Sequence, residues 1–203
     1  MVYPLKVKEN ILPLSVSGTL PEAFSEWYFT DNTIDHEAPI EVCQLCNQEQ
    51  LRYHFEIKNS YTNYTLMVGS QCILKFQLKV LENGRLLNEV ETKKKLDYLI
   101  KKMRQESCIK ALDRLAEAED NDILSNALTY YKNNKYLTPK QAFVVFWRLK
   151  VHEIDYSPSF FKVSLKKDKY REDLRLMQKN RVQLIWPALT YGQRKIAERY
   201  GHE

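Results

Sequence analysis

Between Leu51 and Ile57 the stretch LRYHFEI alternates, placing Tyr53, Phe55 and Ile57 on one face and Arg52, His54 and Glu56 on the other. That period of two is the pattern of a half-buried strand. The turn-rich KNSYTN comes next, and YTLMVGS then reads as the return arm of a hairpin. From Thr92 to about Glu119 the period changes. Leu96, Leu99, Ile100, Met103, Cys108, Leu112 and Leu115 recur at three- and four-residue spacing, which predicts one long amphipathic helix.

Between these two patterns lies LENGRLL, whose Asn83-Gly84 dipeptide is a strong turn signal and separates the strand-rich part from the helical part of the chain. Beyond the long helix a second is expected from about Ile123 to Tyr131, closed by the polar KNNK. Thr138-Pro139 opens a third, because threonine accepts from an orphan amide and proline at the first helical position loses no hydrogen bond. The apolar KQAFVVFWRL of that helix is expected at the centre of the core. SFFKVSLKK alternates as a short strand or extended loop, and KDKYREDLRLMQK returns to helix, burying Tyr170, Leu174 and Met177. Thr190-x-x-Gln193 has the spacing of a capping box for the last helix, and Gly201 is placed to end it.

Composition agrees with a folded, helix-leaning protein: of 203 residues, 44% are apolar, and only five are glycine. The first residues hold no apolar run long enough for a signal-peptide core. No segment approaches the ~20 apolar residues of a membrane span. The expectation is a cytoplasmic protein with no membrane partner, whose cysteines are then seldom disulfides. The net charge of +5 is uneven: two Lys/Arg stand against seven Asp/Glu before position 49, and thirteen against seven from Arg148 onward. Such an excess suits an anionic partner for the C-terminal part, and it also suits an ordinary solvated surface.

Three of the four cysteines lie within one short segment. Cys43-x-x-Cys46 lets a tight turn aim two thiolates at one tetrahedral ion, and Cys72 returns after a hairpin of the length small zinc modules use. Gly69 permits a close bend, and SQCILKF reads as the first turn of a helix bearing Cys72. Knuckle, hairpin and cysteine on a helix start make a treble-clef-like layout. A thioredoxin-like redox pair would need the Cys-x-x-Cys at a helix start, whereas a strand comes after it here. The fourth ligand stays open among His36, His54, Cys108, Asp35 or a water. His36, seven residues before Cys43, is the first choice; His54 sits on the polar face of its strand, and Cys108 belongs to the apolar stripe of the long helix.

The segment CQLCNQEQLRYHFEI followed by LMVGSQCILKF resembles a small zinc-finger-type segment of uncharacterised bacterial and phage-associated proteins. The shared features are the Cys-x-x-Cys, an Arg-Tyr strand and a Val-Gly-Ser-x-Cys-Ile-x-x-Phe ending, over roughly residues 27 to 76. The resemblance implies a metal role for Cys43, Cys46 and Cys72 and carries no activity with it.

In the C-terminal half Lys167, Arg171, Arg175 and Lys179 recur every four residues, a row along one face if a single helix carries them. Lys162 and Lys166 precede the row, and Arg194 and Lys195 lie on the last helix, with Tyr156, Phe160 and Tyr170 interleaved. Basic residues among aromatics suit phosphate contact with base stacking. Against an enzyme stands the absence of a phosphate-cradling glycine loop, a Gly-x-Ser-x-Gly elbow or a His-Glu-x-x-His pair. Glu91-Thr92-Lys93 and the group His152, Glu153, Asp155 are the weak exceptions.

The expectation is therefore an α+β protein: a small treble-clef-like zinc-binding β-hairpin module with an N-terminal extension over 1–82, followed by a mostly helical domain with a basic surface over 83–203. Its expected role is non-enzymatic binding of nucleic acid, DNA or RNA. The alternative is a protein-protein adaptor docking through the zinc module and helical domain. The oligomeric state is left open.

Overall fold

The computed structural model describes residues 4–202. In chain order it contains α1 (Leu5–Ile11), β1 (Trp27–Asp35), β2 (Tyr53–Asn59), β3 (Thr65–Val68), α2 (Ser70–Lys75), β4 (Leu81–Glu82), β5 (Arg85–Leu86), α3 (Glu89–Ala118), α4 (Asp122–Asn134), α5 (Pro139–Val151), α6 (Asp168–Arg175), α7 (Lys179–Ile185) and α8 (Tyr191–Arg199). The class is α+β: a three-stranded antiparallel sheet of order β1-β2-β3, a two-stranded ribbon, and helices for most of the remainder. Among the described residues no helix is long and apolar enough to cross a membrane.

The chain divides into two compact units, one up to Met103 and one from Arg104 onward. The division falls inside α3, well past the Asn83-Gly84 turn. Leu96 and Met103 of that helix are buried with the first core, whereas Cys108, Leu112 and Ala116 are buried with the second. One helix thus supplies a wall to each core in turn, but no single apolar stripe runs its length as the spacing predicts: the positions buried up to Met103 and those buried from Cys108 onward fall on different faces.

In the first unit the alternation of β2 sends Phe55 and Ile57 into the core, where they meet Trp27 and Phe29 of β1 and Val68 of β3. Burying side chains of this size stabilises by about 1.5–3 kcal/mol each. The register of β1 against β2 slips between Phe29 and Thr33, and Asp31 within the slip has φ of 67°. This bulge re-aims the strand so that Asp31 meets Lys95 of α3 at 2.7 Å. Lys95, one of three lysines at the helix start, also donates to the Leu81 carbonyl. The ribbon β4-β5 closes on Asn83 and Gly84 with φ of 50° and 78°, the conformation an Asn-Gly hairpin turn requires.

Glu26 locks the entry to β1. It is buried, accepts from the Val16 and Ser17 amides at 2.8 and 2.7 Å, and accepts from the Asn59 side chain at 2.8 Å. Burial alone would raise the carboxyl, but these donors prevail and hold it below its ordinary range.

In the second unit both expected capping boxes are present, Thr138 with Gln141 on α5 and Thr190 with Gln193 on α8. Gly201 at φ of 84° lies just past α8. SFFKVSLKK runs extended: Leu137 exchanges hydrogen bonds with Lys162 and Ser164, while Phe161, Val163 and Leu165 are buried. Residues 167–179 do not form one helix. Lys167 caps α6 in an extended conformation, α6 ends at Arg175, and extended Gln178 precedes α7.

Candidate metal centre

The cysteines converge from two places in the first unit. Cys43 and Cys46 flank a turn in which the Cys43 amide donates to the Gln48 carbonyl and the Asn47 amide donates back to Cys43. Leu45, between them, is fully buried. Gln44 ties the turn to β3, its amide donating to the Met67 carbonyl at 2.9 Å and its side chain accepting from the Met67 amide at 2.7 Å. Asn10 of α1 anchors the other side through the Leu45 carbonyl and the Asn47 side chain. Cys72 comes from the first turn of α2, its amide donating to the Gly69 carbonyl. At Gly69 the backbone passes close to Leu51: a Cβ there would stand 3.2 Å from a Leu51 methyl, which would have to shift by a few tenths of an ångström.

The result is a group of three sulfurs, all within 4.8 Å of one another. Cys43 and Cys72 lie 3.6 Å apart and Cys72 and Cys46 3.2 Å, with no disulfide. Thiolates at 2.3 Å from a tetrahedral ion stand about 3.8 Å apart. A small expansion of the group would therefore seat an ion. Cys43 is the acidic member, brought down to about 5 by the hydrogen bond from Cys72 and, against its burial, by the amides of Gly69, Cys46 and Leu45. Cys72 is held far above the usual thiol range by that same bond and by burial. A cysteine of depressed pKa packed against two others is prepared for a cation, and binding one releases protons. Three soft donors this close together could hold a metal ion.

Among the described residues no histidine, carboxylate or fourth cysteine joins this group. The Nε2 of His36 instead stands 3.2 Å from Nδ1 of His54, the two rings meeting edge to face. His54, which its neighbours in sequence place on a polar face, is 4% exposed. Asp35 receives Arg52 at 2.8 and 3.0 Å. Cys108 is buried in the second core, its thiol pushed up to about 12 by burial and the Asp155 carboxylate. The three cysteines line a cavity of about 590 Å³ whose polar wall includes Gln48, Arg52, Gln71 and Lys75. Sequence patterns give no sign of this wall, because its residues come from the turn, the start of β2 and α2.

The basic residues expected to bind nucleic acid do not form one row. Arg171 pairs with Asp168 and donates to the Leu165 carbonyl, and Arg175 pairs with Glu172 at 2.7 Å. Lys179 begins a different helix, and Lys162, Lys166 and Lys167 are exposed on the connection before α6. Arg194 donates to the Trp186 carbonyl and Lys195 pairs with Glu198. The weak enzyme-like groups are also occupied: Glu91 holds Arg85, His152 meets Glu119, and Asp155 meets Arg104.

A second cavity, of about 810 Å³, lies within the second unit between α5 and the α7 region, with Phe143, Trp147 and Arg181 among its lining. The apolar run of α5 predicts Trp147 in the core with the rest of its helix, yet 48% of it is exposed. A tryptophan at the end of an apolar run, followed by Arg148 and Lys150, is the sequence signal that points to it. No family model, curated protein or solved structure matches this chain.

Proposed function

We propose that the first unit is a zinc-holding, treble-clef-like module and that the protein binds nucleic acid through its second unit without catalysing a reaction. The observation that carries this reading is the convergence of Cys43, Cys46 and Cys72, fixed by backbone hydrogen bonds from a turn and a helix start on either side of a hairpin. That order of elements is what the treble-clef reading rests on. Zinc is preferred over iron-sulfur chemistry because three thiolates on a tight turn and one helix suit a single ion. Cys43, Cys46 and Cys72 would hold the ion, and its binding would tie the turn to the start of α2.

The nucleic-acid part rests on the thirteen Lys/Arg against seven Asp/Glu from Arg148 onward, set among aromatic side chains. Metal analysis of protein purified without chelator should give about one zinc per chain, lost in Cys43→Ser and Cys72→Ser. Fluorescence anisotropy at low ionic strength should show affinity for single- or double-stranded nucleic acid that falls steeply with salt. Metal-free protein would remove the first half of the proposal. Absence of binding at any ionic strength would remove the second.

A further inference from the structure

The cavity between α5 and the α7 region combines three features. Its lining includes an aromatic pair: Phe143 and Trp147, one turn apart on α5, have ring centroids 6.2 Å apart at 30°, and nearly half of Trp147 is open to solvent. Its charge is of one sign. Lys150, a further turn along α5, and Arg181 of α7 line it, no aspartate or glutamate does, and neither cation has an ion pair among the described residues. The Arg181 guanidinium lies over Phe143 at 4.8 Å from the ring centroid, which positions its donors without consuming them. The lining also includes Gln178, Asn180 and Gln183, whose carboxamides are each both donor and acceptor.

We propose that this cavity takes one nucleotide unit, its base stacked on Trp147 and its phosphate held by Arg181 and Lys150. The inference rests on the nucleic-acid reading above and gives it a place. A single exposed ring of this size is a stacking platform for any base. Unpaired cations beside it meet a phosphate without first breaking an internal ion pair. The carboxamides meet the hydrogen-bonding edge that an unpaired base leaves free. The volume is that of sites for ligands of nucleotide size. An acidic peptide would satisfy the cations but would leave the open ring and the carboxamides without matching groups.

The test compares a fluorescent ten-nucleotide single strand, as oligo-dT and as oligo-U, with the mononucleotides dTMP and UMP. Probes are titrated against the full chain and its Trp147→Ala, Trp147→Phe and Arg181→Glu variants. Circular dichroism and thermal melts establish that each variant is folded. The strand should bind with salt-dependent affinity, quench the tryptophan emission, and bind about ten-fold more weakly to Trp147→Ala. Trp147→Phe should recover most of the loss. Arg181→Glu should weaken binding similarly and reduce the salt slope by about one. Mononucleotides binding as tightly as the strand would support the cavity while assigning it a free nucleotide, which counts against the strand-binding reading. Strand binding that is indifferent to Trp147→Ala and Arg181→Glu would overturn the inference and leave the broader reading standing. Binding of neither probe would overturn both.

Discussion

If the cysteine group holds the proposed ion, removing that ion should loosen the first unit without unfolding it. The cysteine group sits on a core that owes nothing to metal: Trp27, Phe55, Ile57 and Ile73 are fully buried in the first unit. A metal that binds only the folded form stabilises it by about 4.1 kcal/mol when free ion exceeds the dissociation constant a thousand-fold. For about 100 residues each kcal/mol moves the melting midpoint by about 4–8 °C, so chelation should lower the transition of this unit by roughly 15–30 °C. Hydrogen exchange followed by mass spectrometry can assign the effect. Peptides spanning 42–76 should lose protection on chelation, and peptides from α4 to α8, whose core is separate, should not. In metal-free protein the serine variants should rank by burial. Cys43→Ser, at a site 1% exposed, should cost about 1–3 kcal/mol, and Cys46→Ser, half-buried, within about 0.5 kcal/mol. Unchanged protection over 42–76 after the metal has been removed would refute the link between site and fold.

Glu26→Gln should destabilise the first unit by about 1–3 kcal/mol at neutral pH, because an amide cannot accept from the Val16, Ser17 and Asn59 donors together. The folded-state pKa of Glu26 is depressed, so its contribution is present above the unfolded carboxyl range and lost as pH falls through the folded value. Urea denaturation of wild type and variant should therefore converge in acid, and a constant gap would contradict the assignment. Cys108→Ala should leave metal content unchanged and lower the stability of the second unit by about 1 kcal/mol, since its sulfur fills core space among Leu112, Leu128 and their neighbours. Loss of metal in that variant would return Cys108 to the ligand set.

What could be read from the sequence was local. The alternation at Phe55 and Ile57, the Asn83-Gly84 turn, the capping residues Thr138 and Thr190 and the helix start at Cys72 each fix their own few residues, and each has its expected form. What depends on distant partners was hidden. His54 reads as polar because Arg52 and Glu56 flank it, yet His36, eighteen residues away, packs against it. No proline or glycine lies between Arg175 and Lys179, so the break between α6 and α7 is set by packing. Leu174, Val182 and Ile185 are all buried in one core, and the chain bends to bring them there. The seven-residue helices α1 and α7 are too short for periodicity to declare them.

That break also changes which cations matter. Arg171 and Arg175 stand out in the sequence because they recur at helical spacing, and the same spacing places Asp168 and Glu172 where they bind them. An arginine three residues from an acid on an exposed helix already has its partner, and a phosphate gains only the difference between the two. Arg181 stands outside that regularity. It lies past the bend, over an aromatic ring, in a cavity with no acid in its lining. Placement among uncharged, stacking neighbours, more than the count of positive residues, decides where an anion with a flat face can be held. In this fold the criterion points to Trp147 and Arg181, away from the row the sequence suggests.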